Sequence, residues 1–154
     1  MKKNRVLVLG IGNPLLTDDG IGIVAAREII KKGLAGVDVE EATASGIEVM
    51  EMMLGYEKVI VADAIFLPDH EPGEIMHLKE EDFSHTVHGS SPHGVNISTA
   101  IALGRQTSPE MMPKDIVFIA MQAEDISTFG ESQTEKVARM MSEFIDAVIK
   151  EIRK

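Results

Sequence analysis

The sequence contains no cysteine, which excludes disulfide bonds, thiolate metal ligands and a cysteine nucleophile. It also has no long apolar run. The apolar segment after the basic start ends at Leu9, which is too short for the core of a signal peptide, and no stretch approaches the ~18 apolar residues of a membrane-spanning helix. We therefore expect a cytoplasmic protein that does not insert into a membrane.

Basic residues are scarce relative to acidic ones. The 15 lysines and arginines are outnumbered by 25 aspartates and glutamates, which gives a net charge of −10. A nucleic-acid-binding protein needs a basic surface to displace phosphate counterions, so this class is not expected. With 154 residues, of which 44% are hydrophobic, the chain is long enough to bury one core. We predict a single domain over residues 1–154.

Strand-like and helix-like segments alternate along the chain. Short apolar runs are typical of buried strands, and apolar residues that recur every three or four positions indicate helices. The predicted strands cover 6–10, 37–41, 58–64, 73–78 and 115–121, and the predicted helices cover 21–32, 47–54, 95–103 and a long segment from about 132. This order predicts a three-layer α/β/α fold with a mainly parallel, five-stranded twisted sheet and helices on both faces.

The turn after the first strand reads GNPLLTDDG over residues 12–20, at the carboxyl end of a strand, where ligands of such sheets bind. Leu15 replaces the third glycine of a dinucleotide-binding turn, and the Gly-Lys-Ser/Thr ending of a phosphate loop is missing. Asp18 and Asp19 would also repel phosphate, so a cation is the better guest. We expect Thr17 or Asp18 to cap the helix that begins near Gly20, which leaves Asp19 to point elsewhere.

Two further residues stand where the predicted elements meet. Asp63 ends an apolar strand, and His93 stands at the entrance to the predicted helix 95–103. A carboxylate in the position of Asp63 must be paired, hydrogen-bonded or metal-bound, and a bond that closes the loop is as reasonable as a functional role. Two carboxylates and an imidazole suit a divalent metal such as nickel, zinc or iron, with His85 and His88 as backup ligands. Spacing alone does not establish that these residues converge.

Three segments carry a family resemblance: VLVLGIGNPLLTDDGIGI, VIVADAI and SPHGV, in this order. Together they resemble the hydrogenase maturation endopeptidases, and the resemblance runs from Arg5 through the C-terminal helix. It implies that the protein removes the C-terminal extension of a nickel–iron hydrogenase large-subunit precursor after nickel insertion.

The resemblance also implies a set of site residues. The metal ligands would be Asp19, which stands where many members carry glutamate, together with Asp63 and His93. The metal would be the nickel that the substrate brings, or another divalent metal in the isolated protein. Asp19 or Asp63 would be the general base.

Two other classes of function stay open from the sequence. One is a non-enzymatic metal-binding checkpoint or chaperone for hydrogenase assembly. The other is a small-molecule α/β hydrolase that uses Asp18 and Asp63 as acid and base, which would need an enclosed pocket near the strand ends.

Overall fold

The computed structural model of the chain describes residues 4–43, 46–87 and 94–154. A short 3-10 turn over Thr17–Gly20, which we call the acidic turn, leads into the first helix. The strands are β1 (Val6–Ile11), β2 (Val37–Ala42), β3 (Lys58–Ile65), β4 (Ile75–Lys79) and β5 (Asp115–Gln122). The helices are α1 (Ile21–Lys32), α2 (Ile47–Met53), α3 (Glu80–Val87), α4 (Gly94–Thr107) and α5 (Glu135–Ile152).

The described strands form one sheet in the order β2-β1-β3-β5-β4. The β1–β2, β1–β3 and β3–β5 pairs are parallel, and only the edge strand β4 pairs antiparallel, with β5. The predicted α/β fold with a mainly parallel five-stranded sheet is therefore confirmed. From β1 the chain crosses to β2 on one side, whereas from β3 it goes on to β4 and β5 on the other side. The carboxyl ends of β1 and β3 thus flank the topological switch point, where open α/β sheets bind ligands.

Helices cover both faces of the sheet, as the sequence predicts. Helices α1 and α5 pack on the face that carries Val8 and Ile60, and helices α2, α3 and α4 pack on the opposite face, which carries Leu9 and Val61. Successive residues of a strand point to opposite faces. The side chain of Asp63 therefore shares the face of Val61, which α4 also covers.

Helix α3 is absent from the predicted elements. Its one fully buried described side chain is Phe83, which stacks on Phe118 of β5 with ring centroids 3.7 Å apart. Among the helix side chains that the structure describes, Phe83 is the one that connects α3 to the sheet. The only local signal is the acidic first turn, which interacts favourably with the helix dipole.

A buried ion pair lies at the amino end of the sheet, opposite the switch point. The ammonium group of Lys58 donates to the carboxylate of Glu151 at 2.8 Å and to the backbone carbonyl of the same residue at 2.9 Å. Burial raises the pKa of Glu151, but the hydrogen bond and charge of Lys58, with a further contribution from Lys154, outweigh burial and lower it below its usual range. None of the described helices combines the length and apolarity needed to cross a lipid bilayer.

Helix α1 approaches the sheet at backbone contact distance. A Cβ atom on Gly22 would lie 2.2 Å from the carbonyl oxygen of Ala62 in β3 and 2.5 Å from that of Ile11 in β1. A Cβ atom on Gly10 would lie 2.3 Å from the carbonyl oxygen of Gly22. Only glycine permits this approach, and it presses the acidic turn, which precedes α1, against the ends of β1 and β3.

We expect Gly22→Ala to lower the free energy of unfolding by about 1–3 kcal/mol, because the methyl group meets backbone that cannot move aside. Gly104→Ala is the matched control within α4, since the nearest contacts of its Cβ would be the side chains of Met112 and Met50 and not backbone. Urea unfolding of both variants measures the difference. Equal stabilities would contradict the close approach of α1 to the sheet.

Candidate active site

Asp18 is buried, and both of its carboxylate oxygens accept hydrogen bonds. Its Oδ1 accepts the backbone N–H of Thr134 at 2.8 Å. Its Oδ2 accepts the backbone N–H groups of Glu124 at 2.8 Å and Asp125 at 3.0 Å, and the hydroxyl of Thr134 at 2.8 Å. These donors belong to the loop between β5 and α5, and Thr134 is the N-cap residue of α5.

The predicted helix cap is therefore wrong. The N-cap of α1 is Gly20, with no side-chain cap hydrogen bond, and Asp18 serves the N-terminus of α5 instead. Thr17 does not cap α1 either, because its hydroxyl donates to the backbone carbonyl of Thr128. Both oxygens of Asp18 are held by donors of the loop before α5, so its carboxylate has a structural role and not the acid or base role of a small-molecule hydrolase.

Asp19 lies in the acidic turn and is 3% exposed. Its Oδ2 accepts the backbone N–H of Asn13 at 3.0 Å, and its own N–H donates to the carbonyl of Leu16 at 3.0 Å. The side chain of Asn13 in turn accepts the N–H of Leu15 at 2.9 Å, which is a local turn typical of asparagine. The loop thus orients the carboxylate of Asp19 through its own backbone.

Asp63 lies near the carboxyl end of β3 and is 1% exposed. Its Oδ1 accepts the N–H of Ala64 at 2.8 Å, and its Oδ2 is buried as well. Its position in β3 is one residue beyond Ala62, which is in register with Gly10 of β1. The acidic turn contacts β3, so Asp19 and Asp63 lie on neighbouring elements at the switch point.

The third predicted ligand, His93, lies outside the described residues. So does His88, and nothing is described of the side chain of His85. Within residues 4–43, 46–87 and 94–154, no three histidine, aspartate or glutamate side chains are grouped closely enough to hold a metal ion. The shared metal site of Asp19, Asp63 and His93 stays a prediction. Helix α4, which begins at Gly94, packs on the face of the sheet that carries Asp63.

Gln122 positions the segment that follows Asp63, a role that sequence reasoning missed. Its side-chain oxygen accepts the N–H of Leu67 at 3.1 Å, and its side-chain nitrogen donates to the carbonyl of Leu67 at 3.0 Å. The N–H of Ala123 also donates to the carbonyl of Ile65 at 2.8 Å. The available signal was a glutamine directly after the apolar run of a central strand, because a buried amide requires partners.

The loop from Glu124 to Gly130 is tightly bound although it is largely exposed. Hydrogen bonds from the side chain of Thr128 and from the backbone N–H groups of Ser127 and Thr128 lower the pKa of Asp125 to about 2. An isolated bridge pairs Leu16 with Gly130. Together with the bonds to Asp18, these contacts attach the loop to the acidic turn.

Large apolar side chains are exposed in the segments at the carboxyl ends of the parallel strands. Each lies in a segment that follows one of the parallel strands: Leu15 after β1, Ile47 after β2, Phe66 after β3 and Phe129 after β5. Phe129 is 84% exposed. We call these four residues the apolar rim. Two buried carboxylates at the switch point, with exposed apolar side chains in the segments that follow the parallel strands, define an α/β protein with an acidic site at the carboxyl end of its sheet.

Comparison with known proteins identifies the family of this α/β protein. A family model described as hydrogenase maturation protease matches residues 25–151, and the chain belongs to that family. It is therefore a peptidase, as the resemblance implies, and not the non-enzymatic chaperone or small-molecule hydrolase that the sequence left open.

Individual relatives agree with the family. The chain is 28% identical over 128 residues to hydrogenase 2 maturation protease of Escherichia coli, covering 79% of this chain and 75% of the relative. It is 29% identical over 154 residues to the hydrogenase expression/formation protein HupD of Bradyrhizobium diazoefficiens, covering 93% and 75%. The solved structure of the hydrogenase maturating endopeptidase HybD from Escherichia coli superimposes with a TM-score of 0.81 at 26% identity, covering 97% of this chain and 92% of HybD.

We expect Gln122→Leu to lower the free energy of unfolding by about 2–4 kcal/mol, because it leaves the buried N–H and carbonyl groups of Leu67 without their present partner. Gln106→Leu, at an exposed position of α4, is the control and is expected to change stability little. Chemical denaturation compares the two variants. A loss no larger than that of the control would contradict the role of Gln122.

Proposed function

We propose that the protein removes the C-terminal extension of a nickel–iron hydrogenase large-subunit precursor after nickel insertion. It recognises the nickel of the substrate through Asp19, Asp63 and His93. The observation that supports this proposal best is the position of two buried carboxylates on the acidic turn and on β3, two elements that contact each other at the switch point. Carboxylates and an imidazole with open coordination positions suit a borderline divalent metal that a partner carries in.

The two carboxylates are oriented in the same way. One oxygen of each accepts a backbone N–H, from Asn13 in the case of Asp19 and from Ala64 in the case of Asp63. We assign the carboxylates of Asp19 and Asp63 to the nickel of the substrate. A ligand whose direction is already fixed loses little conformational entropy when the metal arrives.

Hydrolysis then follows the ordinary balance of a peptidase. The oxygen of water bonds to the scissile carbonyl carbon, the C–N bond breaks, and the leaving nitrogen takes a proton. Nickel held at the switch point would place the scissile bond next to Asp19 and Asp63, and we assign the proton of the attacking water to one of these carboxylates. Since the nickel belongs to the substrate, a precursor that lacks it would be held less well and cleaved slowly.

The apolar rim supports a folded protein as the substrate. Exposed apolar side chains clustered around a polar site are typical of protein-binding surfaces. Phe129 is the most exposed of them and lies on a loop that is attached to the acidic turn, so little ordering would be needed when a partner binds.

The first test is cleavage of the nickel-loaded precursor, followed as loss of the mass of its C-terminal extension. We expect Asp19→Asn, Asp63→Asn and His93→Ala each to lower kcat/KM by at least about 100-fold, because each removes a nickel contact. Asp146→Asn, at an exposed position of α5, is the control and should cleave like the wild type. Undiminished cleavage by the three variants, or equal cleavage of nickel-free precursor, would reject nickel recognition at this site.

The second test concerns the apolar rim. We expect Phe129→Ser to lower kcat/KM for the precursor about tenfold, chiefly through KM, because an exposed aromatic group at an interface contributes to binding and not to the chemical step. Ile30→Ser is the matched control, since Ile30 is 51% exposed on α1 and lies outside the rim. Steady-state kinetics measures both variants. If their KM values were the same, the role of the apolar rim in substrate binding would be contradicted.

A further inference from the structure

In the part of the chain that the structure describes, the buried carboxylate of Asp18 is held by neutral donors. Its four hydrogen bonds come from three backbone N–H groups and one hydroxyl, and no lysine, arginine or histidine contributes to them. Hydrogen bonds to a carboxylate are stronger than those between neutral groups. The N-terminus of α5 adds a favourable dipole, so the neutral donors are sufficient to hold the charge.

These bonds connect distant parts of the chain. Asp18 is 106 residues from Glu124 and 116 residues from Thr134 in sequence. The backbone takes part as well: the N–H of Asp18 donates to the carbonyl of Asp125 at 3.0 Å, and the N–H of Thr17 donates to the carbonyl of Gly130 at 2.9 Å. The first two residues of the acidic turn are therefore bound to the loop between β5 and α5 through both backbone and side chain.

An aspartate is required for this arrangement. All four groups that face the carboxylate donate hydrogen bonds, and a carboxylate can accept at both oxygens. An asparagine of the same shape would turn its NH₂ group, which only donates, toward one side of this set. At least one donor would then lose its acceptor and face another donor, at a cost that is large in a buried site.

We propose that Asp18 is a positioning residue for Asp19. The two residues are consecutive, and Thr17 at the start of their turn has a positive φ of 53°, which a β-branched residue adopts only when its surroundings enforce it. The bonds of Asp18 supply that enforcement together with those from the N–H and hydroxyl of Thr17 to the same loop. They fix the rotation of the turn and therefore the direction in which the carboxylate of Asp19 meets its ligand. The positioning role of Asp18 depends on the proposed function only because that function identifies the ligand of Asp19 as nickel.

The backbone N–H of Asn13 reports directly on the position of Asp19, because it donates to Oδ2 of that residue. We therefore test Asp18→Asn by two measurements: the amide resonance and hydrogen exchange of Asn13 in the free protein, and the cleavage of nickel-loaded precursor. The control is Glu151→Gln. It weakens the ion pair between Lys58 and the buried Glu151, which lies at the amino end of the sheet and far from the switch point. Thr134→Val, which removes one of the four bonds, is the milder variant should Asp18→Asn fail to fold.

The expected result is a displaced amide resonance and faster exchange of Asn13 in Asp18→Asn, with kcat lowered about 10- to 100-fold and KM within about threefold of the wild type. Thr134→Val should change the same quantities in the same direction by less. Glu151→Gln should reduce stability while leaving kcat and the Asn13 amide unchanged. If the variants of Asp18 and Thr134 lose only stability, as Glu151→Gln does, the positioning role is wrong.

The two proposals fail in different ways. If the wild type does not cleave nickel-loaded precursor, the proposed function is wrong, yet the Asn13 amide still shows whether Asp18 positions Asp19. If the wild type cleaves and the Asn13 amide and kcat are unaffected by Asp18→Asn, the positioning role alone is rejected.

Discussion

The contact between Gly22 and the carbonyl oxygens of Ala62 and Ile11 is the constraint on which the site depends. It allows α1 to lie on β1 and β3 at backbone distance, closer than any side chain would permit. Because the acidic turn leads directly into α1, this contact also determines where Asp18 and Asp19 lie. The glycines around the turn therefore serve close packing, in place of the phosphate binding that a glycine-rich turn first suggests.

Two adjacent aspartates perform different tasks at this turn because their side chains meet different surroundings. Asp18 meets four hydrogen-bond donors from the loop before α5 and is enclosed by them. Asp19 accepts the N–H of Asn13 in its own loop and lies in the turn that contacts β3, the strand of Asp63. The first arrangement stabilises the structure, and the second is suited to a cation. A carboxylate is thus assigned a role by its neighbours, not by its residue type.

Two independent observations point to a protein that acts on another protein. The chain belongs to the hydrogenase maturation protease family, and it carries the exposed side chains of the apolar rim. The segments after the four parallel strands carry exposed apolar side chains, which suit a peptidase because its substrate is a protein. The rim residue Phe129 lies on the loop that Asp18 binds. The same set of hydrogen bonds therefore holds the acidic turn and the loop of Phe129 together. Under the proposed function, this joins the residues assigned to nickel to a surface assigned to the protein that carries it.

The sequence by itself determined the order of the elements and the position of Asp63, because apolar periodicity and strand ends are local properties that neighbouring residues set. It predicted α1 over residues 21–32, as observed, yet not α3, which Phe83 connects to the sheet by stacking on Phe118. Only the tertiary structure decided the partner of Asp18. Local preference favours a cap on the nearest helix, but a hydrogen-bond acceptor is satisfied by whichever donors the fold brings near, and here they come from more than 100 residues away.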